Sequence, residues 1–280
     1  MENVYKFLGA ERSSFLKDGF LRFTQAAALN DPYECLAAFP QVSSDELIGD
    51  LFTSALSTIG LSESDSPEEK SRKHGLINLA FSRLKHMAEH DPWLYKRKAI
   101  ELNQQRINSQ LGILSLSRRW NSALMWSHYT QTYSGFCVGF RREHEFFKEI
   151  TDEGQPRRTA LLPVKYKTER TIIPKRQVDA PGLDIFLTKS EDWAYEQEDR
   201  LLALLKDADD IQERKPYPVH LFKVPLDAIS EIILGHRAPE GLRIDVLEAG
   251  KKLGIAVYKT QLSETTFDVD RSELEDGIHL

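Results

Sequence analysis

The strongest constraint on the fold is a series of short aliphatic segments that begins at Leu111. "LGILSLS" (111–117), "FCVGF" (136–140), "LLPVKYKT" (161–168), "RLLALL" (200–205), "HLFKVP" (220–225), "EIILG" (231–235) and "IAVYKTQL" (255–262) each run five to eight residues. That is the length of a strand and too short for a self-supporting helix. Helical spacing falls between them, at 121–132, 142–150 and 239–253. Strands and helices that do not alternate regularly predict an α+β fold with a mixed, mostly antiparallel sheet.

Upstream, residues 4–8 and 20–24 ("FLRFT") read as two further strands around a polar turn, with Gly19 as punctuation. "NDPYE" (Asn30–Glu34) follows, a turn in which Pro32 forces Asp31 towards extended backbone. Residues 44–110 change character. "DELIGDLFTSALSTIG" and the long segment from Lys73 carry apolar residues at helical spacing, broken by the acidic, Ser-rich "LSESDSPEEK". This predicts a helical insertion with an exposed loop near 61–70, within one α+β domain spanning 1–280.

A formal net charge of −6 argues against a broad electrostatic grip on nucleic acid, leaving only local patches at Lys96–Lys98 and Ser117–Trp120. The two cysteines, Cys35 and Cys137, have neither metal-ligand spacing nor a disulfide framework, and the eight histidines show no ligand spacing. The opening residues lack the pattern of a signal peptide, and no apolar run approaches a membrane span. The expectation is a cytoplasmic protein with no metal and no membrane contact.

Two motifs carry chemistry. On a strand, Ser115 and Ser117 share one face, where their hydroxyls can hold a ribose or an amide. On the helix after them, Trp126 and Tyr129 are three apart and therefore neighbours, a pair suited to a planar ligand and equally to ordinary core packing. In "SEDWAYEQEDRLLALL", extended backbone from Tyr195 would put Glu196, Glu198 and Arg200 on one face. Two carboxylates so placed can divide labour, one stabilising positive charge and the other acting on a nucleophile, while Arg200 keeps them ionised. The same residues also read as a solvated charge cluster at a strand end. Tyr5 and Lys6 point to opposite faces of the first strand, and "NDPYE" either is only a turn or presents Asn30, Asp31 and Glu34 to a cleft.

"VYKF", "LRFTQAAALNDPYE", "ALMWSHYTQTYSGFCVGF", "LTKSEDWAYEQEDRLL" and "ISEIILG", in this order, resemble a bacterial domain-of-unknown-function family, DUF2971. The order of a polar residue on the first strand, Ser-x-Ser on a middle strand and Glu-x-Glu late in the chain is similar to the site plan of ADP-ribosyltransferases. That resemblance implies an ADP-ribosyltransferase-like sheet core with NAD as substrate. Lys6 or Tyr5 would hold NAD, Ser115 and Ser117 would brace the pocket, and Trp126 and Tyr129 would flank nicotinamide. Glu198 would be the catalytic acid and Glu196 the acceptor-side residue. The chain departs from the plan at the first strand, where Tyr-Lys replaces Arg or His.

Two functions of different classes follow. The first is an NAD-consuming ADP-ribosyltransferase-like enzyme of a toxin or phage-defence system, with a protein or nucleic-acid acceptor left open. It expects Glu198→Gln to abolish nicotinamide release with little change in melting temperature. The alternative is a non-catalytic interaction module, with Trp126 and Trp193 in the core, Arg200 paired to an acid and the helical insertion as partner surface. It expects the same substitution to destabilise the fold.

Overall fold

The computed structural model describes residues 2–36, 64–91, 104–172 and 182–274, with scattered positions between 48 and 101. The strands are β1 (Asn3–Leu8), β2 (Phe20–Phe23), β3 (Leu111–Ser117), β4 (Phe136–Arg141), β5 (Ile150–Asp152), β6 (Gln155–Arg158), β7 (Leu162–Pro163) and β8 (Lys165–Lys167). They continue with β9 (Thr188–Ser190), β10 (Glu198–Leu204), β11 (Asp210–Gln212), β12 (Val219–Lys223), β13 (Ile229–Leu234), β14 (Ala256–Leu262) and β15 (Val269–Glu273). The α-helices are α1 (Phe15–Asp18), α2 (Pro67–His90), α3 (Ala123–Tyr129) and α4 (Glu240–Leu253).

The fold is α+β. The main sheet has the order β15-β14-β13-β4-β1-β3-β10-β6-β5, with β7 also on β10. Its pairings are antiparallel except β13 with β14, which α4 joins as a crossover. Smaller sheets are formed by β11-β12-β2 and by β8-β9. Alternation divides the central strands into two faces. Val4, Leu8, Leu114, Leu116, Leu201 and Ala203 enter the largest apolar cluster, with α4 supplying Leu242 and Val246. The opposite face carries Ser115, Ser117, Glu198 and Arg200, in register as Ser117↔Glu198 and Ser115↔Arg200.

One boundary in the sheet is open. β1 pairs with β4 along its whole length, from Asn3↔Arg141 to Leu8↔Phe136, but meets β3 only at Tyr5↔Ser117. Farther along, Thr24 takes the β3 edge, exchanging both backbone bonds with Ile113 at 2.8 and 2.9 Å. Between these two closures the Ser115 carbonyl accepts from Lys6 Nζ at 3.0 Å instead of from a strand. A side chain thus satisfies a ladder acceptor, and the strands part around a wedge.

Three expectations need correction or bounds. Residues 142–150 hold no α-helix: a short 3-10 turn, Glu145–Phe147, buries Phe146 and Phe147 and the chain then turns extended at Lys148. Adjacent aromatics lie about 100° apart on a helix, so burying both favours a turn. The loop expected through residue 70 ends earlier, because Ser66, Pro67 and Glu69 build a capping box that starts α2. Within 44–110, where an insertion was predicted, α2 and residues 104–110 are helical; 44–47, 92–96 and other positions in the segment lie outside the described residues. No helix among the described residues is long and apolar enough to cross a membrane.

Candidate functional site

The acidic stretch is shaped by two local signals. Ser190 accepts a hydrogen bond from Asp192 N–H and, with Glu191 and Asp192 in the first turn, starts a 3-10 helix spanning Glu191–Glu196. Gln197 then adopts left-handed backbone (φ 44°, ψ 53°), its N–H bonded to Ala194 O, and β10 begins at Glu198. The predicted extended backbone from Tyr195 is therefore overturned: Glu196 ends a helical turn and the switch falls at Gln197. The two acids still converge, because the left-handed residue swings the chain between them. Glu196 Oε2 accepts from Lys189 Nζ at 2.6 Å, and Glu198 Oε2 lies 3.5 Å from the same nitrogen.

Arg200 holds the other side of the cluster. Its Nε donates to Glu198 Oε1 at 2.7 Å, Nη2 to Glu198 Oε2 at 3.0 Å and Nη1 to Phe186 O at 2.7 Å. Nη2 also pairs with Glu34, whose Oε1 is 3.6 Å from Lys189 Nζ. Glu34 arrives there because "NDPYE" folds as a turn, with Tyr33 N–H donating to Asp31 Oδ1 at 2.8 Å and Glu34 N–H to Asp31 O at 3.1 Å. All five charged side chains are at most 5% exposed. Burying three carboxylates with two cations is costly unless each finds partners, which explains the dense cross-bonding. Lys189 also lies 4.5 Å from the centre of the Trp193 ring.

Beside this cluster, at the open boundary between β1 and β3, lies a cleft of about 230 Å3. Lys6, Asn30, Ser115, Ser117, Tyr129, Glu196 and Glu198 all line it, together with Lys189 and Glu34. Tyr129 donates to Glu196 Oε1 at 2.5 Å and accepts from Asn30 Nδ2 at 3.0 Å. Ser117 donates to Glu196 O at 2.6 Å and accepts from Arg119 N–H at 3.0 Å, tying β3 to the acidic turn.

Four of the sequence candidates sit differently from expectation. Tyr5 lines the cleft, but its hydroxyl is committed to Glu231 Oε1 at 2.9 Å across Gly139, where a Cβ would come within 3.0 Å of the tyrosine ring. Trp126 is fully buried, its Nε1 donating to Trp120 O at 2.7 Å and its ring edge-on to Phe7 at 5.4 Å. α3 is only two turns long, so its buried face packs on β1, and of its residues Met125 and Tyr129 reach the cleft while Trp126 does not. Arg200 is likewise fully buried and holds the acids from behind rather than facing the cleft. Asp31 lines an adjoining cleft of about 250 Å3 with Thr171 and Thr188. The Ser117–Trp120 patch is not a free basic surface: Arg118 Nε lies 3.9 Å from Asp199 and Arg119 pairs with Asp268. Lys96 and Lys98 lie outside the described residues.

Sequence reasoning missed Lys189 as a site residue and left Glu34 undecided. The signal for Lys189 was its position ahead of an acid run and four residues before Trp193; only the tertiary fold shows that three carboxylates need it.

Electrostatics separates the groups. Burial alone would raise the Glu198 pKa, but Arg200, Lys189 and a hydrogen bond from Ser115 outweigh it and hold the carboxyl at about 2. Glu198 is thus a fixed anion at neutral pH, a stabiliser of positive charge and no proton donor. Burial, opposed by Arg200 and Lys189, holds Glu34 above the usual carboxylate range. Burial and the Glu196 charge push the Tyr129 phenol well above its ordinary value. Burial lowers the Lys6 amine to about 8. Among the described residues no group of His, Cys, Asp and Glu is placed to hold a metal ion.

No curated protein and no solved structure matches the chain. Residues 125–201 match the family model described as "Protein of unknown function (DUF2971)". The matched segment contains Tyr129, Lys189, Glu196, Glu198 and Arg200, the larger part of the charged cluster. Over that segment, about a quarter of its length, the chain is similar to the DUF2971 family.

Proposed function

We propose that the cleft binds the nicotinamide-ribose end of NAD and breaks its N-glycosidic bond, as an ADP-ribosyltransferase-like enzyme. The observation that carries this reading is Glu198, a carboxylate held ionised at the cleft wall by Arg200 and Ser115. Nicotinamide in NAD is a cationic pyridinium. When the carbon–nitrogen bond breaks, its electron pair passes to the ring nitrogen and the ring leaves neutral, so the leaving group needs no proton. The sugar is left as an oxocarbenium-like centre, which a fixed anion stabilises in a water-poor cleft. A site offering a permanent anion suits this bond.

The remaining roles follow from position. Glu196, bonded to Tyr129 and Lys189, would be the acceptor-side residue and take the acceptor's proton. Ser115 orients Glu198, and Ser117 ties the acidic turn to β3. The acceptor, protein or nucleic acid, is open.

The test is proton NMR of the protein with NAD, following free nicotinamide, beside Glu198→Gln and Glu198→Asp. Release by the wild type alone supports the reading, and equal release by Glu198→Gln sinks it. Melting temperature alone does not separate enzyme from interaction module, because Glu198 is bonded to Arg200 and its removal disturbs both.

A specific observation favours the second reading, a non-catalytic interaction module. Every acid of the cluster has an internal cationic partner, and α2 leaves Leu76 and Leu79 exposed among the described residues. On this reading the cluster is a latch and α2 a partner surface, and NAD neither binds nor is cleaved.

A further inference from the structure

Three cations gather along β1 and β2 beside the cleft. Lys6 lines the cleft where β1 parts from β3, and Thr24 lines it just beyond β2. Arg22 lies two residues before Thr24 and so on the same side of the strand. Arg12, in the 3-10 turn Ala10–Arg12, donates from Nη2 to Phe20 O at 3.3 Å, which anchors it along β2.

Among the described residues, none of the three cations forms an ion pair. Lys6 Nζ and Arg12 Nη2 spend themselves on carbonyl oxygens, and Arg22 Nε is shielded from solvent with no hydrogen-bond partner. Elsewhere Arg119, Arg142, Arg157, Arg200 and Arg271 each find a carboxylate. The chain has 43 acids for 37 lysines and arginines, so counter-ions are not scarce. The three cations are also close enough to act on one another. Burial lowers the Lys6 amine most; Glu198 and Glu196 raise it while Arg12 and Arg22 lower it, and Arg12, after burial, lowers Arg22. A like-charged group with an orphaned donor is destabilising on its own and is balanced by an anionic ligand.

We infer that Lys6, Arg12 and Arg22 form a phosphate-binding flank, fitted to the pyrophosphate or terminal phosphate of a nucleotide whose other end occupies the cleft. The inference extends the proposed reading by naming a phosphorylated ligand, and it rests on that reading only for what the cleft itself holds. A volume of about 230 Å3 is below the range of about 300–1,000 Å3 that encloses a drug-sized ligand, so the phosphates of a dinucleotide must lie outside it. Of the three cations Lys6 lines the cleft, and Arg12 and Arg22 stand along β2, next to Thr24 of its wall.

The experiment is isothermal titration of the full chain with inorganic pyrophosphate, NAD and nicotinamide riboside. Wild type is compared with Arg22→Gln, Arg12→Gln, the charge-preserving Arg22→Lys and a control, Lys251→Gln, on the exposed side of α4. Pyrophosphate and NAD are expected to bind the wild type and the control alike. Each glutamine variant should weaken both by about tenfold, the scale of one charge-assisted contact, with no loss of melting temperature and unchanged riboside binding. Arg22→Lys should recover most of the loss. Pyrophosphate affinity equal in wild type and both glutamine variants, or none measurable in the wild type, overturns the inference. The two readings fail separately. Pyrophosphate binding with no nicotinamide release keeps the flank and removes the transferase, whereas release from NAD that ignores Arg22→Gln keeps the transferase and removes the flank.

Discussion

The two faces of the β3–β10 pair are built from the same strands and are about equally buried, yet they are held by opposite physics. On one face Leu114, Leu116, Leu201 and Ala203 are at most 2% exposed and need only shape complementarity. On the other, Arg200 is fully buried and Glu198 is 3% exposed, and each persists only because several named atoms answer its charge. Apolar packing tolerates small errors, because each lost contact costs little. A buried ion left without its partner does not. The charged face is therefore the less forgiving of the two, and it is the one that borders the cleft.

Arg200→Met attacks that difference most directly. It strands Glu34 and Glu198, and urea unfolding should show a loss of about 3–5 kcal/mol. Leu201→Ala, next to it on the apolar face, should cost about 2–5 kcal/mol by leaving a cavity. The comparison sharpens when Glu34→Leu and Glu198→Met are added to Arg200→Met. That triple variant should recover most of the lost stability while releasing no nicotinamide, whereas no second substitution repairs Leu201→Ala so simply. Failure to recover would mean that the charged face is held by more than its ion pairs.

Glu198→Gln should abolish nicotinamide release and lower stability by about 1–3 kcal/mol, since the Arg200 guanidinium keeps a neutral acceptor in place of an anion. Acid provides a graded version of the same change. The Glu198 pKa is depressed from an ordinary 4.5 to about 2, so its stabilisation is complete above 4.5 and drains away as pH falls towards 2. Glu34, raised by burial, works in the opposite direction over part of that range. Unfolding midpoints of wild type and Glu198→Gln should therefore converge with acid, and the apolar-face variant Leu201→Ala should track the wild type in parallel. Parallel lines for Glu198→Gln would break the assignment of that carboxylate as the acid-sensitive group.

Smaller effects are expected where the charged face is braced. Ser117→Ala removes the bond to Glu196 O and should cost about 1 kcal/mol, with a larger proportional loss of turnover because the acidic turn loosens. Gln197→Gly should change stability by no more than about 1 kcal/mol, the residue being exposed and its left-handed backbone suiting glycine. A β-branched residue there, Gln197→Val, should cost more and reduce turnover.

Much of this molecule follows from local pattern. The strands at Leu111–Ser117, Phe136–Arg141 and Ala256–Leu262, and the helix Glu240–Leu253, were legible from periodicity, because their alternation and their flanking Gly and Pro act within a few residues. Ser115 with Ser117, and Glu196 with Glu198, were legible as pairs because short spacing fixes short-range geometry. What the pattern could not reach was long-range. The left-handed turn at Gln197 is set by a 3-10 helix that begins at Ser190 and ends where the chain must rejoin β3. Trp126 and Tyr129 are neighbours on one helix, but which of them meets the cleft depends on how α3 sits against Phe7.

By itself, then, the sequence determined the α+β class, the central strands and most of the polar residues that line the cleft, since alternation and turn chemistry are local. Only the tertiary structure decided that β1 and β3 part around Lys6, that Lys189 and Glu34 join the acids, and that Arg200 stands behind them. Charges separated by more than a hundred residues, as Glu34 and Arg200 are, pair for reasons of burial and desolvation that no local window contains.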